Sequence, residues 1–316
     1  MKLTDWRSGF LILLLAVLVS ISAFSAENNG FDLRGSLVPV DEIHLGGPSR
    51  DGIPAIDHPK FVIAEDAGFL DAEAQVLGLV RSGDAKAYPI AIMNWHEIVN
   101  DQVGGERVAV TYCPLCGTGV AFISAVGGKN LSFGVSGLLY NSDVLLYDRE
   151  TESLWSQLRN QAVSGPMKGR RLEALPLTHT TWRAWRREHP DTLVLSTDTG
   201  KRRDYSRDPY GGYQKERELY FPVSAKSNRY HPKERVLGVE IDGRFKAYPF
   251  AELSRTGERE IRDELAGREL RIEFEWANES ARVFDASGKQ LPAVTSFWFA
   301  WYAFHPDTAV FTAKKR

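Results

Sequence analysis

Cysteine is nearly absent from this chain: only two of its 316 residues are cysteines. So few cysteines exclude a disulfide-rich scaffold, which would need several bridges in place of a hydrophobic core. A large excess of charge of one sign is also lacking, because 39 Lys and Arg residues face 41 Asp and Glu residues. This balance argues against nucleic acid as a partner. With 43% hydrophobic residues, the chain can form one large domain or two modest ones.

Long hydrophobic runs are likewise missing, apart from one near the N-terminus. Residues 10–19 form an apolar run that follows Lys2 and Arg7 and precedes small residues ending at Ala26. The run is shorter than the ~20 residues that a membrane-spanning helix needs. Residues 1–26 are therefore predicted to be a cleaved signal peptide. We expect a periplasmic or secreted protein with no stable membrane anchor after cleavage.

Short runs of sequence recur in the same order at fixed offsets. Matches early in each copy are separated by 160 positions and those near its end by 116. The matched runs are Val-Leu-Gly at 76 and 236, Lys-Ala-Tyr-Pro at 86 and 246, Trp-x-x-Trp at 182 and 298, and His-Pro-Asp-Thr at 189 and 305. The difference, 160 − 116 = 44 positions, indicates an insertion at about residues 131–174 of the first copy. The sequence therefore predicts a degenerate internal repeat.

This repeat sets the predicted domain organisation. The predicted segments are an N-terminal extension (27–75), a first repeat (76–196), a connecting loop (197–235) and a degenerate second repeat (236–316). Short alternating segments predict strands, and the stretches after each Tyr-Pro and around each Trp-x-x-Trp predict short helices. We therefore expect an α+β fold, with mainly antiparallel sheet and short helices, in which two pseudo-symmetric repeats share a core.

Both cysteines, Cys113 and Cys116, lie together in the first copy, in a Cys-Pro-Leu-Cys-Gly run that follows a predicted strand. Two thiolates at this spacing can bind one metal ion, and Gly117 permits a tight turn after them. A full zinc ribbon would need a second such pair, so a further ligand must come from elsewhere. We predict that His96, on the helical stretch before the cysteine strand, is that ligand. Thiolates and an imidazole suit zinc, copper or iron.

The second copy lacks all three of these residues. The repeat places Glu275 opposite Cys113, Asn278 opposite Cys116 and Thr256 opposite His96. Because only the first copy has them, function is expected there rather than in the scaffold that both copies keep. The sequence thus predicts an exported metal-binding protein, a metal-dependent enzyme or a metal-handling protein.

Two other functions for the cysteine pair stay open. The first is a thiol–disulfide oxidoreductase, in which Cys113 attacks and Cys116 resolves the mixed disulfide. A thioredoxin-like site would place the second cysteine inside a helix, whereas here a Gly-Thr-Gly run and a predicted strand follow. The second is a non-catalytic binding or scaffold protein, in which a structural disulfide closes the turn.

The insertion contains polar and aromatic residues of the kind that line ligand pockets. The predicted substrate-binding residues are Tyr140, Asn141, Asp143, Trp155 and Gln157. A small molecule or a metal ion is therefore a candidate partner, whereas the sequence leaves protein partners unknown. The alternative is a polar hairpin with ordinary turn residues.

Several of these runs resemble a family of exported prokaryotic proteins known as domain of unknown function 3179. The runs that carry the resemblance are residues 94–100 (Asn-Trp-His-Glu-Ile-Val-Asn), 111–119, 136–148, 152–157 and 246–250. They extend over most of the mature chain, with no departure at the motif positions. The resemblance implies no reaction or cofactor, so function depends on the residues themselves.

Overall fold

A computed structural model of the protein describes residues 28–314, so the predicted signal peptide at residues 1–26 lies outside the described residues. The described chain is mostly β, with 39% strand and 14% helix. Within residues 28–314, no helix is long and apolar enough to cross a membrane.

Short strands make up most of the regular structure between residues 28 and 314. In chain order they are β1 (Ile43–Leu45), β2 (Phe61–Ile63), β3 (Gln75–Arg81), β4 (Asp84–Pro89), β5 (Ile98–Val103), β6 (Glu106–Cys113), β7 (Thr118–Ile123), β8 (Ala125–Val126), β9 (Lys129–Asn130), β10 (Phe133–Tyr140), β11 (Asp143–Asp148), β12 (Leu154–Ser156), β13 (Gln161–Ala162), β14 (Ala174–Leu175), β15 (Thr178–Thr181), β16 (Leu193–Leu195), β17 (Arg235–Ile241), β18 (Arg244–Pro249), β19 (Glu260–Leu265), β20 (Arg268–Glu275), β21 (Ser280–Asp285), β22 (Val294–Phe297) and β23 (Ala309–Val310).

The α-helices of the described chain are short, at seven residues each. They are α1 (Ile90–His96), α2 (Trp182–Glu188), α3 (Phe250–Thr256) and α4 (Trp298–Phe304). Helices α1 and α3 each begin directly after a proline, whose fixed φ suits the start of a helix. They end because the next residue, Glu97 or Gly257, has a left-handed backbone with φ of 58° or 68°.

The strands form five small sheets and one two-stranded ribbon, β8-β9. The spatial orders are β1-β10-β11-β12-β13 in sheet A, β14-β7-β6-β5 in sheet B, β15-β3-β4-β16-β2 in sheet C, β22-β17-β18-β23 in sheet D and β19-β20-β21 in sheet E. Neighbouring strands are antiparallel except for β4 with β16 and β18 with β23. Four strands of sheet A come from the insertion, residues 131–174, which therefore builds most of a sheet of its own.

The predicted α+β fold with two repeats around a shared core is wrong. The strands divide among five small sheets arranged as the blades of a five-bladed β-propeller. The helices are single short segments and form no layer of their own. Buried apolar side chains fall into several separate clusters and not into one shared core. Short helical patterns in the sequence overstated the helical share because each helix stops after two turns.

Three of the matched runs make corresponding contacts at sheets C and D. In sheet C, a Cβ on Gly78 would come within 2.2 Å of the Trp185 ring, and in sheet D a Cβ on Gly238 would come within 2.2 Å of the Trp301 ring. Each strand can therefore hold only glycine where the indole packs on it. The two indole N–H groups donate to corresponding threonines, both at 2.9 Å. These contacts explain why Val-Leu-Gly, Trp-x-x-Trp and His-Pro-Asp-Thr recur together.

Candidate metal centre

The two cysteines lie at the end of the hairpin formed by β6 and β7. Cys113 is the last residue of β6 and pairs with Thr118, the first residue of β7, so Cys116 lies in the turn. Gly117 has a φ of 61°, and a Cβ there would approach the Phe297 ring to 2.9 Å. Glycine is thus required both for the backbone conformation and for the space. Both cysteines are buried free thiols.

Asp143 joins the two cysteines from a second hairpin. One of its carboxylate oxygens and the two Sγ atoms all lie within 4.8 Å of one another. Asp143 begins β11, after a two-residue turn in which Asn141 and Ser142 have φ of 53° and 63°. Positive φ at both positions is typical of a type I′ turn, whose twist matches that of the flanking strands. The hairpin built by the insertion thus ends at the cysteine pair.

The same turn also contacts the thiols through its backbone. The Ser142 carbonyl oxygen accepts hydrogen bonds from Sγ of Cys116 at 3.3 Å and from Sγ of Cys113 at 3.8 Å. Hairpin turns usually lie at the surface, whereas Asn141 and Ser142 are both buried. The position of this turn is therefore set by the cysteine pair and by the segment that covers it.

Burial controls the protonation of this cluster. It raises the pKa of Cys113 and that of Cys116 above the usual value. It also raises the pKa of Asp143 to about 7, although the backbone N–H groups of Leu158 and Val144 act in the opposite direction. Near pH 7 the thiols are therefore protonated and the carboxyl is about half protonated when no cation is bound. A metal ion would displace these protons, because it binds thiolate and carboxylate.

Glu97 places a second buried carboxyl beside the cluster. Burial, together with the charge of Asp143, raises the pKa of Glu97 to about 8. Glu97 also interacts electrostatically with Cys113. Its N–H donates to the Met93 carbonyl at 2.8 Å, which closes α1 and fixes the left-handed backbone of Glu97. Glu97 is not one of the three residues whose ligand atoms lie within 4.8 Å.

The residues of the cluster fit a metal ion. Oδ1 of Asp143 is buried and, apart from the weakly donating thiols, finds no hydrogen-bond donor in the part of the chain that the structure describes. Buried carboxylate oxygens normally have strong partners. Two sulfurs and one carboxylate oxygen are a donor set that zinc and iron accept. The donor set and the unsatisfied oxygen are thus both explained by a cation.

His96 is not part of this cluster. Its Nδ1 lies 2.7 Å from the Pro54 carbonyl oxygen, and its Nε2 lies 2.7 Å from the Tyr205 hydroxyl. Because a carbonyl only accepts, Nδ1 carries the proton and Nε2 accepts from Tyr205. Burial lowers the pKa of His96, which favours this neutral ring. With both ring nitrogens engaged, the histidine has no lone pair for a metal, and Asp143 takes the place predicted for it.

The predicted substrate-binding residues Tyr140, Asn141, Asp143, Trp155 and Gln157 are all buried. The Tyr140 ring packs edge-on against the Phe304 ring at 5.5 Å. The Trp155 indole N–H donates to Asp148 at 2.8 Å. Both aromatic residues therefore pack within the protein, which is an ordinary structural role.

The two amides in this set also hold protein groups. Asn141 Oδ1 accepts from the Ser224 N–H at 2.7 Å, and Gln157 Nε2 donates to Thr111 Oγ1 at 2.8 Å. Gln157 Oε1 is buried and has no hydrogen-bond partner within residues 28–314. Substrate binding by these residues stays a prediction, whereas Asp143 lies at the centre itself.

Sequence reasoning missed Glu97 and Ser142. Glu97 directly follows His96 in the Asn-Trp-His-Glu run, and this position beside a predicted ligand is the signal that could have indicated it. Ser142 contributes its backbone carbonyl, which no residue pattern can indicate. The sequence predicts Asp143 as a pocket residue and not as a ligand, because its nearness to the cysteines depends on how two distant hairpins meet.

The fold and the site define a class: a mostly β protein with a buried centre of two thiols and a carboxylate. The chain belongs to the family described as Protein of unknown function (DUF3179), whose family model matches residues 50–308. This match covers most of the chain and confirms the resemblance seen in the sequence motifs. No curated protein and no solved structure matches the chain significantly.

Proposed function

We propose that this protein binds one transition-metal ion, with zinc favoured, through Cys113, Cys116 and Asp143. The observation that carries the proposal is the approach of two thiols and a carboxylate oxygen to within 4.8 Å in a buried site. Zinc accepts sulfur and carboxylate oxygen in one site, whereas copper(I) is selected by soft sulfur ligands. Iron is the next candidate.

A metal-dependent enzyme is the second candidate function, and Glu97 is the observation that favours it. Three protein ligands leave one position of a tetrahedral zinc site for water or a substrate atom, where the ion would act as a Lewis acid. Burial raises the pKa of Glu97 to about 8 in the metal-free protein, and a cation bound nearby would favour the carboxylate, the form that accepts a proton. A buried carboxyl beside the proposed ligands supports this candidate, because it would act as the proton acceptor.

A thiol–disulfide oxidoreductase is less well supported. Such enzymes attack with a thiolate, and they lower the pKa of the attacking cysteine through neighbouring positive charge or a helix N-terminus. Here burial raises the pKa of Cys113, and the neighbouring Asp143 and Glu97 carboxyls raise it further. A structural disulfide is also less well supported, because closing so short a loop stabilises a fold less than closing a long one.

We also propose that the protein is exported and that it binds a small molecule. The basic residues, the apolar run and the small residues within residues 1–26 support a cleaved signal peptide. Cell fractionation with N-terminal sequencing of the mature protein tests this part. Full-length protein recovered from the cytoplasm would contradict it.

Elemental analysis of the purified protein tests the metal site. We expect about one ion per chain in the wild type and almost none in the Cys113→Ser/Cys116→Ser variant. The matched control is Glu275→Gln/Asn278→Ser, which changes the corresponding positions of the second copy and should retain the ion. Negligible metal in all three proteins, even after incubation with zinc, would refute the proposal.

Cobalt substitution tests the second candidate. The wild type and Glu97→Gln should both bind cobalt, because Glu97 lies outside the ligand set. The pH midpoint of the visible spectrum should shift in Glu97→Gln, since the neighbouring carboxyl no longer exchanges a proton. Identical titrations would remove Glu97 from the chemistry and leave metal binding alone.

A further inference from the structure

The cysteine pair is covered by a segment without strands, residues 199–224, which we name the strap. Its regular structure is one short 3-10 turn, Tyr213–Lys215. Tyr213 is 1% exposed and belongs to the same buried cluster as Cys113 and Cys116. Other strap residues, among them Tyr210 and Phe221, pack against that cluster as well. Access to the thiols from this side therefore requires the strap to move.

One end of the strap is held by three consecutive residues at the end of α1. Asn94 Nδ2 donates to Asp208 Oδ1 at 3.1 Å, and the Trp95 indole N–H donates to the Arg207 carbonyl at 3.2 Å. His96 Nε2 accepts from the Tyr205 hydroxyl at 2.7 Å. The next residue of the chain is Glu97, beside the metal cluster. The Asn-Trp-His-Glu run thus joins the strap to the site.

The Pro54 carbonyl determines which His96 nitrogen faces the strap. It accepts from Nδ1–H at 2.7 Å, so Nε2 is left with a lone pair directed at Tyr205. The Tyr205 hydroxyl in turn lies 2.6 Å from Thr199 Oγ1. The contact between His96 and Tyr205 therefore has a fixed donor and a fixed acceptor.

The other end of the strap is held by the turn that touches the thiols. Ser142 Oγ donates to the Phe221 carbonyl at 2.8 Å, and the Ser224 N–H donates to Asn141 Oδ1 at 2.7 Å. Ser142 also accepts from both thiols through its own carbonyl. The state of the thiols and the position of the strap are thus connected through one residue.

Lys233 contacts the middle of the strap. Lys233 Nζ donates to the Glu216 carbonyl at 2.8 Å and to the Glu218 carbonyl, and it lies 4.0 Å from the centre of the Tyr213 ring. Each of these contacts between the strap and the rest of the protein involves a side chain, and none is a backbone hydrogen bond between paired strands. A segment held in this way can open at a lower free energy than the sheets beneath it.

We propose that the strap is a cover that opens to admit ligands to the centre, and that the bond between His96 and Tyr205 is its latch. Its effect on metal exchange rests on the proposed metal function, whereas its effect on thiol access does not. Asn94, Trp95 and His96 are positioning residues that act on the site through the strap. His96, which the sequence predicts as a metal ligand, would therefore control access to the centre.

Alkylation of the native protein by iodoacetamide tests the latch without any metal. Tyr205→Phe removes the hydroxyl donor and keeps the ring, and we expect Cys113 and Cys116 to react about 5–10-fold faster, because one hydrogen bond less favours opening. The matched control is Tyr230→Phe, which removes a hydroxyl bonded to Glu252 at 2.9 Å outside the strap. It should react at the wild-type rate.

A second readout connects the latch to metal exchange. Zinc transfer from the loaded protein to a chelator should accelerate in Tyr205→Phe by a similar factor. The midpoint of urea unfolding, measured in parallel, separates local opening from global destabilisation. Equal alkylation rates in the wild type and Tyr205→Phe, or equal acceleration in both tyrosine variants, would overturn the latch. Faster alkylation in a protein that binds no zinc would support the cover and refute only the metal function.

Discussion

The ends of two corresponding hairpins, β6–β7 and β20–β21, differ in how far other segments cover them. In the first copy, Cys113 and Cys116 are fully buried beneath the strap and the insertion hairpin. In the second, Glu275 and Asn278 stand at the equivalent end of the β20–β21 hairpin, and the intervening Trp276 is 65% exposed. An open cavity of about 650 Å³ lies beside this second end. The hairpin is therefore scaffold, and the added segments make one end a closed site.

Each hairpin end is also hydrogen-bonded to a residue from the other of the two matched stretches of sequence. The Cys116 carbonyl accepts from the Phe297 N–H at 2.8 Å, and Asn278 Oδ1 accepts from Thr181 Oγ1 at 3.1 Å. Glu275 in addition lies 3.7 Å from both Arg187 and Arg259. Its charge is thus balanced at the surface, whereas Oδ1 of Asp143 is buried and has no partner within residues 28–314 apart from the weakly donating thiols. The difference predicts that only the first end needs a cation from solution.

Replacing Asp143 should produce the largest difference between the two ends. We expect Asp143→Asn to weaken zinc binding by more than about 100-fold, since even partners one step further from a metal contribute ~10–100-fold. Glu275→Gln, the matched change at the other end, should leave the affinity unchanged. Competition with a chelator of known affinity measures both. An equal loss in the two variants would contradict the assignment.

Although Asp143→Asn should weaken zinc binding, it should make the metal-free protein more stable. Burial raises the pKa of Asp143 from 3.8 to about 7, so the folded state binds more protons than the unfolded chain between these values. Ionising the buried Asp143 carboxyl lowers the free energy of unfolding. This loss is absent below about pH 4, grows as the pH rises and is complete above about pH 7. Asp143→Asn should therefore raise the free energy of unfolding at pH 8 by about 2–4 kcal/mol.

Urea unfolding of metal-free protein at pH 4 and pH 8 measures this effect. Glu275→Gln, in which the carboxyl is half exposed and paired, should change the free energy of unfolding by less than about 0.5 kcal/mol at either pH. A variant that is more stable but has lost the metal would mark Asp143 as a residue kept for function. Destabilisation by Asp143→Asn at pH 8 would instead indicate a purely structural role.

The position of the candidate site could be predicted from the sequence, but the proposed ligand set could not. Cys113 and Cys116 stood out because the second copy has Glu275 and Asn278 in their place. Asp143 lies 27 positions beyond Cys116 and reaches it only because two hairpins meet end to end. His96 has the right residue type and is buried nearby, yet its ring nitrogens are used by other groups. Residue type and spacing do not determine where a side chain points.

The predicted fold class was wrong for a related reason. The stretches after Pro89 and Pro249 have helical patterns, but a left-handed residue ends each helix after seven residues. The insertion, residues 131–174, has no partner in the second copy, so the sequence could not show that it builds most of a separate sheet. Local patterns located the elements, whereas the grouping of strands into sheets depends on pairings distant in sequence.

Overpacking should affect the two copies equally and so test what they share. Gly78→Ala and Gly238→Ala each place a methyl group within 2.2 Å of a tryptophan ring. We expect both to lower the free energy of unfolding by about 1–3 kcal/mol. Metal content should stay at the wild-type value in both folded variants, because neither glycine touches the cluster. A large difference in destabilisation would show that sheets C and D are not equivalent supports.

Grafting the cysteines onto the second end should have the smallest effect. Glu275→Cys/Asn278→Cys recreates the cysteine spacing on the equivalent hairpin, where no Asp143 hairpin and no strap cover the end. With two thiols and no carboxylate opposite them, the new end lacks the third ligand that a tight zinc site requires. We expect the zinc content after dialysis against a moderate chelator to stay at one ion per chain. A second retained ion would show that the cysteine hairpin alone makes the site and that the insertion and the strap serve another purpose.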